Sequence, residues 1–350
     1  MALKSFHLTN CWIQEMIRIS IFLAIAPLIL SAVVLADPVK IIYDTDMGND
    51  VDDALALAML HSLQNRGESE LLAITATKDH DEVAPYLDAI NTFYGRGTIP
   101  IGVTDSDITP ERSRFTGVTL QRDDDEYLYP HDLNIGEPVP SAVHLLREIL
   151  AGQPDNSVVI VQVGFSTNLA ELLQTDGDNY SSLSGLELVE QKVKHISIMA
   201  SSFAPIGDQV HLEYNVVQDI PSAQYLAENW PTPIYWSGFE VGLAIRYPAI
   251  SIENDFNYLD RHPIPESYQA YIPTPHERPT WDLTSVLLAV REERNYFGIS
   301  ESGTVTVLED GETIFEADPG GNHFYLNISD SDIRLVQELM AALVSEPPND

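Results

Sequence analysis

Short apolar runs punctuate this chain, with polar or helix-patterned stretches between them. VKIIY (39–43), LLAITAT (71–77), IPIGV (99–103), SVVIVQVG (157–164), KHISIMAS (194–201) and TPIYWSG (232–238) are rich in β-branched residues. Such near-continuous runs are what strands buried on both faces require. Between them, DDALALAMLHSLQ (52–64), EVAPYLDAINTFYG (82–95), SAVHLLREILAG (141–152) and IPSAQYLAEN (220–229) read as amphipathic helices. The alternation predicts an α/β fold, an open, mostly parallel twisted sheet with helices on both faces. Near the end, GTVTVLEDGETIFEAD (303–318) predicts a small hairpin turning at Asp310-Gly311, and DSDIRLVQELMAALVS (330–345) a final helix.

No internal repeat or low-complexity linker interrupts this order, so residues 37–350 are expected to form a single domain. Two stretches read as loop insertions: the polar 104–137, which carries RDDDEYLYPHD, and the Pro-rich 262–280. The N-terminal 36 residues belong to a different class. Arg18 precedes the apolar run ISIFLAIAPLILSAVVLA (19–36), which ends in small or permissive residues at Val34 and Ala36. That pattern predicts a signal peptide over 1–36, cleaved before Asp37. The run is also about long enough for a membrane anchor, but Pro27 and the small-residue ending favour processing. The protein is then exported, periplasmic or secreted, with no stable membrane association after cleavage. Cys11, the only cysteine, lies within this segment, so the exported body holds no thiol and no disulfide.

Charge narrows the partners. Eighteen Lys and Arg against 53 Asp and Glu give a net charge of −35. Nucleic-acid polymers are excluded as partners, because binding them needs cations to neutralise phosphates. Most of the acidic residues are a solvated surface. One group is not. DTDMGNDVDD (44–53) crowds Asp44, Asp46, Asp50, Asp52 and Asp53 into ten positions directly after the first strand. In open α/β sheets, ligands bind beyond the carboxyl ends of the strands. A helix N-terminus accounts for one or two carboxylates, not for five. A hard divalent cation accounts for all, calcium in particular, since it takes six to eight oxygen ligands. The spacing is not that of an EF-hand.

This stretch resembles the N-terminal signature of the inosine–uridine preferring nucleoside hydrolases, Asp-x-Asp-Pro-Gly-x-Asp-Asp-Ala after the first strand. Three further stretches resemble that family in order: VIVQVGFSTNLAELL (159–173), HLEYNVVQDIPSAQYL (211–226) and PTWDLTSVLLAV (279–290). The likeness covers roughly residues 39–300. It implies calcium-dependent hydrolysis of the N-glycosidic bond of a small-molecule ribonucleoside, giving ribose and a free base. By the same resemblance, Asp46 touches calcium and, as general base, takes a proton from the attacking water. Asp53, the backbone carbonyl of Val163 and Asp282 complete the metal ligands, while Asp52, Glu213 and Asn215 bond the ribose hydroxyls. Asn168, in the matched Thr-Asn turn, takes a structural role. Family members tend to be dimers or tetramers, so a homo-oligomer is implied on that ground alone. The chemistry is coherent: cleavage builds positive charge on the sugar, which nearby carboxylates stabilise.

The chain departs from the pattern in four places. Met47 replaces the proline, and two extra residues, Asp50 and Val51, precede the Asp-Asp pair, so Asp50 enters the candidate ligands. Trp281 stands where the family has a histidine that can protonate the departing base. It can stack on a base but cannot supply that proton. The loops at TATKDHDE (75–82) and APIGDQ (204–209) lack the expected asparagines, with Thr77 in one such place. His131 and His211 are candidate donors, and Tyr127, Tyr129 and Trp236 candidate walls of a base pocket. Two other functions fit parts of the pattern: a calcium- and ribosyl-ligand-binding protein without turnover, and a haloacid-dehalogenase-like phosphatase, whose Asp-x-Asp is similar to Asp44-Thr45-Asp46. A calcium-stabilised structural module comes last, because it leaves Glu213 and Asn215 without a purpose.

Overall fold

The computed structural model describes residues 37–349, and the expected signal segment lies outside the described residues. The first strands are β1 (Val39–Thr45), β2 (Ser69–Ala76) and β3 (Ile101–Val103). A detached two-residue pair follows, β4 (Arg122–Asp123) with β5 (Glu126–Tyr127), and then β6 (Val158–Gln162), β7 (Val193–Met199) and β8 (Ile234–Ser237). The C-terminal strands are β9 (Gly298–Ile299), β10 (Gly303–Val307), β11 (Thr313–Ala317) and β12 (His323–Asn327). The main sheet has the order β11-β10-β12-β8-β7-β6-β1-β2-β3, with β9 paired to β12. From β12 to β3 every neighbouring pair is parallel, so the fold is the open α/β sheet that the alternation predicts.

Side chains of β1 divide strictly by position, as the strand period of two demands. Ile41 and Tyr43 enter one core, packed by helices Asp52–Asn65, Trp281–Arg291 and Asp330–Val344. Ile42 enters the other, with helices Ala142–Ala151, Thr167–Leu173 and Ile220–Asn229. The chain leaves β1 towards β2 on one side and returns through β6 on the other. The order therefore reverses between β1 and β6, which is the switch point where such sheets bind ligands.

Two local expectations are corrected, and one strand has no counterpart among the expected elements. Helix Asp52–Asn65 is not amphipathic: every residue from Asp52 to Leu63 is buried, because helices cover it as well as the sheet. The Pro-rich 262–280 contains a helix, Pro263–Tyr271. Pro263 and Pro265 fall in its first turn, where no N–H is needed, and the His262 side chain caps it by accepting from the Ile264 N–H at 3.2 Å. Strand β12, which carries no clear alternation, is what joins the expected hairpin to the sheet. That hairpin turns where expected, with Gly311 at φ +90°. Among the described residues, no helix is long and apolar enough to cross a membrane.

Candidate active site

Beyond the switch point lies a cavity of about 710 Å³, lined among others by Asp46, Asp52, Asp53, Asp282, Glu213 and Asn215. The chain ends of β1 and β6 set its floor. Gly164 allows them to approach: a Cβ there would lie 2.6 Å from the Asp46 nitrogen and 2.7 Å from the Thr45 carbonyl carbon. Gly48, at φ +113°, then turns the chain into the helix that begins at Asp52.

Asp44 lies beneath the cavity rather than in it. Its Oδ1 accepts from Thr75 Oγ1 (2.6 Å) and Asn168 Nδ2 (2.8 Å), which gives Asn168 the structural role expected of it. Burial pushes the Asp44 carboxyl up to about 7, against the pull of those two hydrogen bonds. The phosphatase reading puts both aspartates of Asp44-Thr45-Asp46 in one site, and the fold separates them.

Asp52, Asp53 and Asp282 form the acidic centre, each placing a carboxylate oxygen within 4.8 Å of the others. The Asp282 N–H donates to Asp52 Oδ2 at 3.2 Å, and Thr45 Oγ1 donates to Asp53 Oδ1. Asp53 Oδ2 is buried with no protein partner. Burial raises all three carboxyls far above the usual range, and neighbouring carboxylates add to it: Asp50 at Asp52, Asp46 and Asp52 at Asp53, and Asp52 and Asp53 at Asp282. Three buried carboxylates with an orphaned oxygen fit a metal ion, which would remove the cost of crowding. Val163 lines the same cavity, and its carbonyl accepts from Asn215 Nδ2 at 2.7 Å.

Asp46 lines the cavity beside this group. Its Oδ2 accepts from Asn49 Nδ2 at 2.9 Å, and Asn49 Oδ1 accepts from Lys78 Nζ at 2.8 Å. Burial raises Asp46 to about 6. Asp50 adjoins the acidic centre, where its charge raises the Asp52 carboxyl. Its Oδ1 accepts from Arg278 Nε at 2.8 Å and its Oδ2 from Arg278 Nη2. The extra residue thus makes an ion pair with Arg278 beside the candidate ligands.

The second wall is polar. Glu213 caps the helix Tyr214–Gln218, accepting from the N–H groups of Asn215 (3.0 Å), Val216 (3.2 Å) and Ser201 (3.2 Å). Burial lifts its carboxyl to about 7 despite those donors.

The third wall is aromatic. Trp281 stacks on Phe239 with centroids 5.0 Å apart and donates its indole N–H to the Phe239 carbonyl at 2.9 Å. His211 lies over the other part of Phe239 at 3.8 Å, and Tyr271 completes the wall. The other proposed aromatics are elsewhere. Trp236 is fully buried in the second core, Tyr129 is in a satellite cluster, and Tyr127 packs under Arg122. His131 stacks on Tyr127 and contacts the Tyr129 carbonyl, away from the cavity. Phe239, Tyr271, Lys78 and Arg278 are the site residues that sequence reasoning missed. None belongs to a local pattern.

A twisted parallel sheet with an acidic, metal-capable pocket at its switch point is the architecture of nucleoside hydrolases. By structure the chain is similar to an inosine-guanosine nucleoside hydrolase, at TM-score 0.67 and 19% identity, over 88% of this chain and 98% of that one. It is also similar to a purine-preferring ribonucleoside hydrolase from Gardnerella vaginalis, at TM-score 0.65 and 19% identity, covering 87% and 98%. A type III effector protein solved with adenosine diphosphate ribose is similar at TM-score 0.60 and 16% identity, covering 89% and 95%. No curated protein matches the chain by sequence. The model of the inosine-uridine preferring nucleoside hydrolase family matches residues 41–323, and the chain belongs to that family. It is a hydrolase acting on N-glycosyl compounds.

Proposed function

We propose that the chain is an exported, calcium-dependent hydrolase that releases ribose and a free base from ribonucleosides. The observation that carries this reading is the buried trio Asp52, Asp53 and Asp282, in a cavity also lined by Asp46, Glu213 and Asn215. Asp53, Asp282, Asp46 and the Val163 carbonyl would hold the cation, with Asp52 near enough to share it or to bond a ribose hydroxyl. When bound, the ion supplies positive charge that offsets the crowded carboxylates and acts as a Lewis acid towards oxygen. Calcium suits an all-oxygen donor set of this kind.

The chain's own residues do the rest. Glu213, braced by three main-chain N–H groups, and Asn215 grip the sugar hydroxyls. The carboxylates stabilise the positive charge that grows on the sugar as the bond to the base breaks. Asp46, whose carboxyl burial raises in the absence of the ion, is the general base that takes the proton of the attacking water. Asn49 fixes one of its oxygens and leaves the other for this task.

A second reading is binding without turnover. It is favoured by Trp281, whose one polar hydrogen is committed to Phe239. The deciding experiment is ribose release by the mature protein from a panel of nucleosides, with calcium, with chelator, and with Asp46→Asn. Calcium-dependent release abolished by the substitution is the expected result. Nucleoside binding without release would favour the second reading. The signal peptide over 1–36 is tested by the N-terminus of the exported protein, and the homo-oligomer, expected from family likeness alone, by sedimentation.

A further inference from the structure

Arg278 has no part in the chemistry above, yet it occupies the side of the cavity where a departing base must sit. A flat heterocycle matches only the aromatic wall. The Arg278 guanidinium carbon lies 4.9 Å from the centre of the Trp281 ring and 5.3 Å from that of Tyr271. Nε and Nη2 each donate to Asp50. Of the five guanidinium hydrogens, those on Nη1 have no acceptor among the described residues. The side chain is 21% exposed and lines the cavity.

The rest of the site calls for a cation at this place. Breaking the bond between the sugar and the base leaves its electron pair on the base nitrogen. Asp46, Asp50, Asp52, Asp53 and Asp282 all line this cavity, and their charge favours the sugar cation and opposes the base anion. Trp281 offers no relief, since its N–H is bonded to Phe239. Lys78 is turned to Asn49 and Thr109, beside Asp46.

We propose that Arg278 binds the leaving base and stabilises it as an anion through its free guanidinium N–H groups, with Asp50 as the residue that positions it. This rests on the hydrolase reading given above. As the bond from C1′ to the base breaks, water oxygen bonds to C1′ and Asp46 takes the water proton. The electron pair departs with the base, which takes a proton from solvent on release, and Asp46 later returns its own to solvent. A guanidinium is not deprotonated in proteins, so Arg278 neutralises charge and transfers no proton. The rate then depends steeply on how acidic the departing base is.

The test compares p-nitrophenyl β-D-ribofuranoside, whose nitrophenolate leaves without help, with inosine and uridine. The mature protein, R278K, R278Q and D50N are assayed in calcium, with thermal melts to confirm that each variant folds. Loss of an electrostatic donor of this kind costs about 100-fold. R278Q is therefore expected to lower kcat/KM for the nucleosides about 100-fold more than for the nitrophenyl riboside. R278K should recover part of that ratio, and D50N should shift it in the same direction by less. Equal losses on all substrates would overturn the role of Arg278 while leaving the hydrolase intact. Absence of release from any substrate by the unsubstituted protein would overturn the hydrolase reading, and the Arg278 role with it.

Discussion

The side-chain amide of Asn215 donates to the Val163 carbonyl at 2.7 Å and to the Met199 carbonyl at 3.0 Å. One residue thereby ties the ends of β6 and β7 to the polar wall of the cavity. Asn215→Ala would leave two carbonyls without their donor in a buried place. The expected cost is about 1–3 kcal/mol of stability, read by urea denaturation. The Michaelis constant for nucleoside should rise as well, because in the proposed function Asn215 also grips the sugar. Full stability with unchanged KM would mean that Asn215 serves neither purpose.

Gly164 and Asp46 are as closely bound to one another. Gly164→Ala would drive a methyl group to 2.6 Å from the Asp46 nitrogen, where only main-chain movement can relieve it. A displacement of about 1 Å at a reacting group costs on the order of 100-fold in rate. Turnover should fall by that order while the protein still folds, since the other contacts of β1 and β6 remain. A variant with full kcat would show that the floor tolerates the shift.

What the sequence made legible follows from range. β-branched runs report burial locally, and all six expected parallel strands exist. Asp46, Asp52, Asp53 and Asp282 were visible because carboxylates crowd at a strand end and within a matched segment. Asp50 shows the opposite case: its charge is local, but its partner Arg278 is 228 residues away. Lys78, Phe239 and Tyr271 reach the cavity only through sheet order and loop packing, which no periodicity records. Trp236 and Tyr129 resemble pocket aromatics in sequence and prove to be core, because an aromatic at a strand end can point to either.

Trp281 offers an optical readout of the aromatic wall. Of the four tryptophans, Trp12 falls in the expected signal segment, and Trp230 and Trp236 are buried at 3% and 1% exposure. Among the described residues, Trp281 is the one tryptophan that lines the cavity. Nucleoside binding should quench tryptophan emission in the mature protein and fail to do so in Trp281→Phe. That variant keeps a ring against Phe239, so its KM should stay within about tenfold, the worth of one aromatic stacking contact. Quenching that survives the substitution would place the base elsewhere.

The pH dependence of cation binding tests the acidic centre. Burial raises Asp46 to about 6, Glu213 to about 7, and Asp52, Asp53 and Asp282 well above the usual range. A carboxyl raised on folding favours the folded state below its unfolded pKa of about 4. That contribution is lost as pH rises through the folded value. The metal-free protein should therefore lose stability from Asp46 and Glu213 between about pH 4 and 7, and from Asp52, Asp53 and Asp282 as pH rises above the usual carboxylate range. Buried His61 and His262, each lowered to about 3, and His195 and His323, each lowered to about 4, act in the other direction. Each loses its contribution as pH falls from about 6.5 towards those values. The two sets oppose one another in absolute stability, but the histidines cancel in the difference between calcium-loaded and chelated protein. Cation ligation needs deprotonated carboxylates. The rise in Tm on adding calcium should accordingly be small near pH 5 and grow towards pH 8, and Asp282→Asn should diminish it. A calcium shift that stays constant across that range, or survives Asp282→Asn undiminished, would put the ion at some other place than Asp52, Asp53 and Asp282.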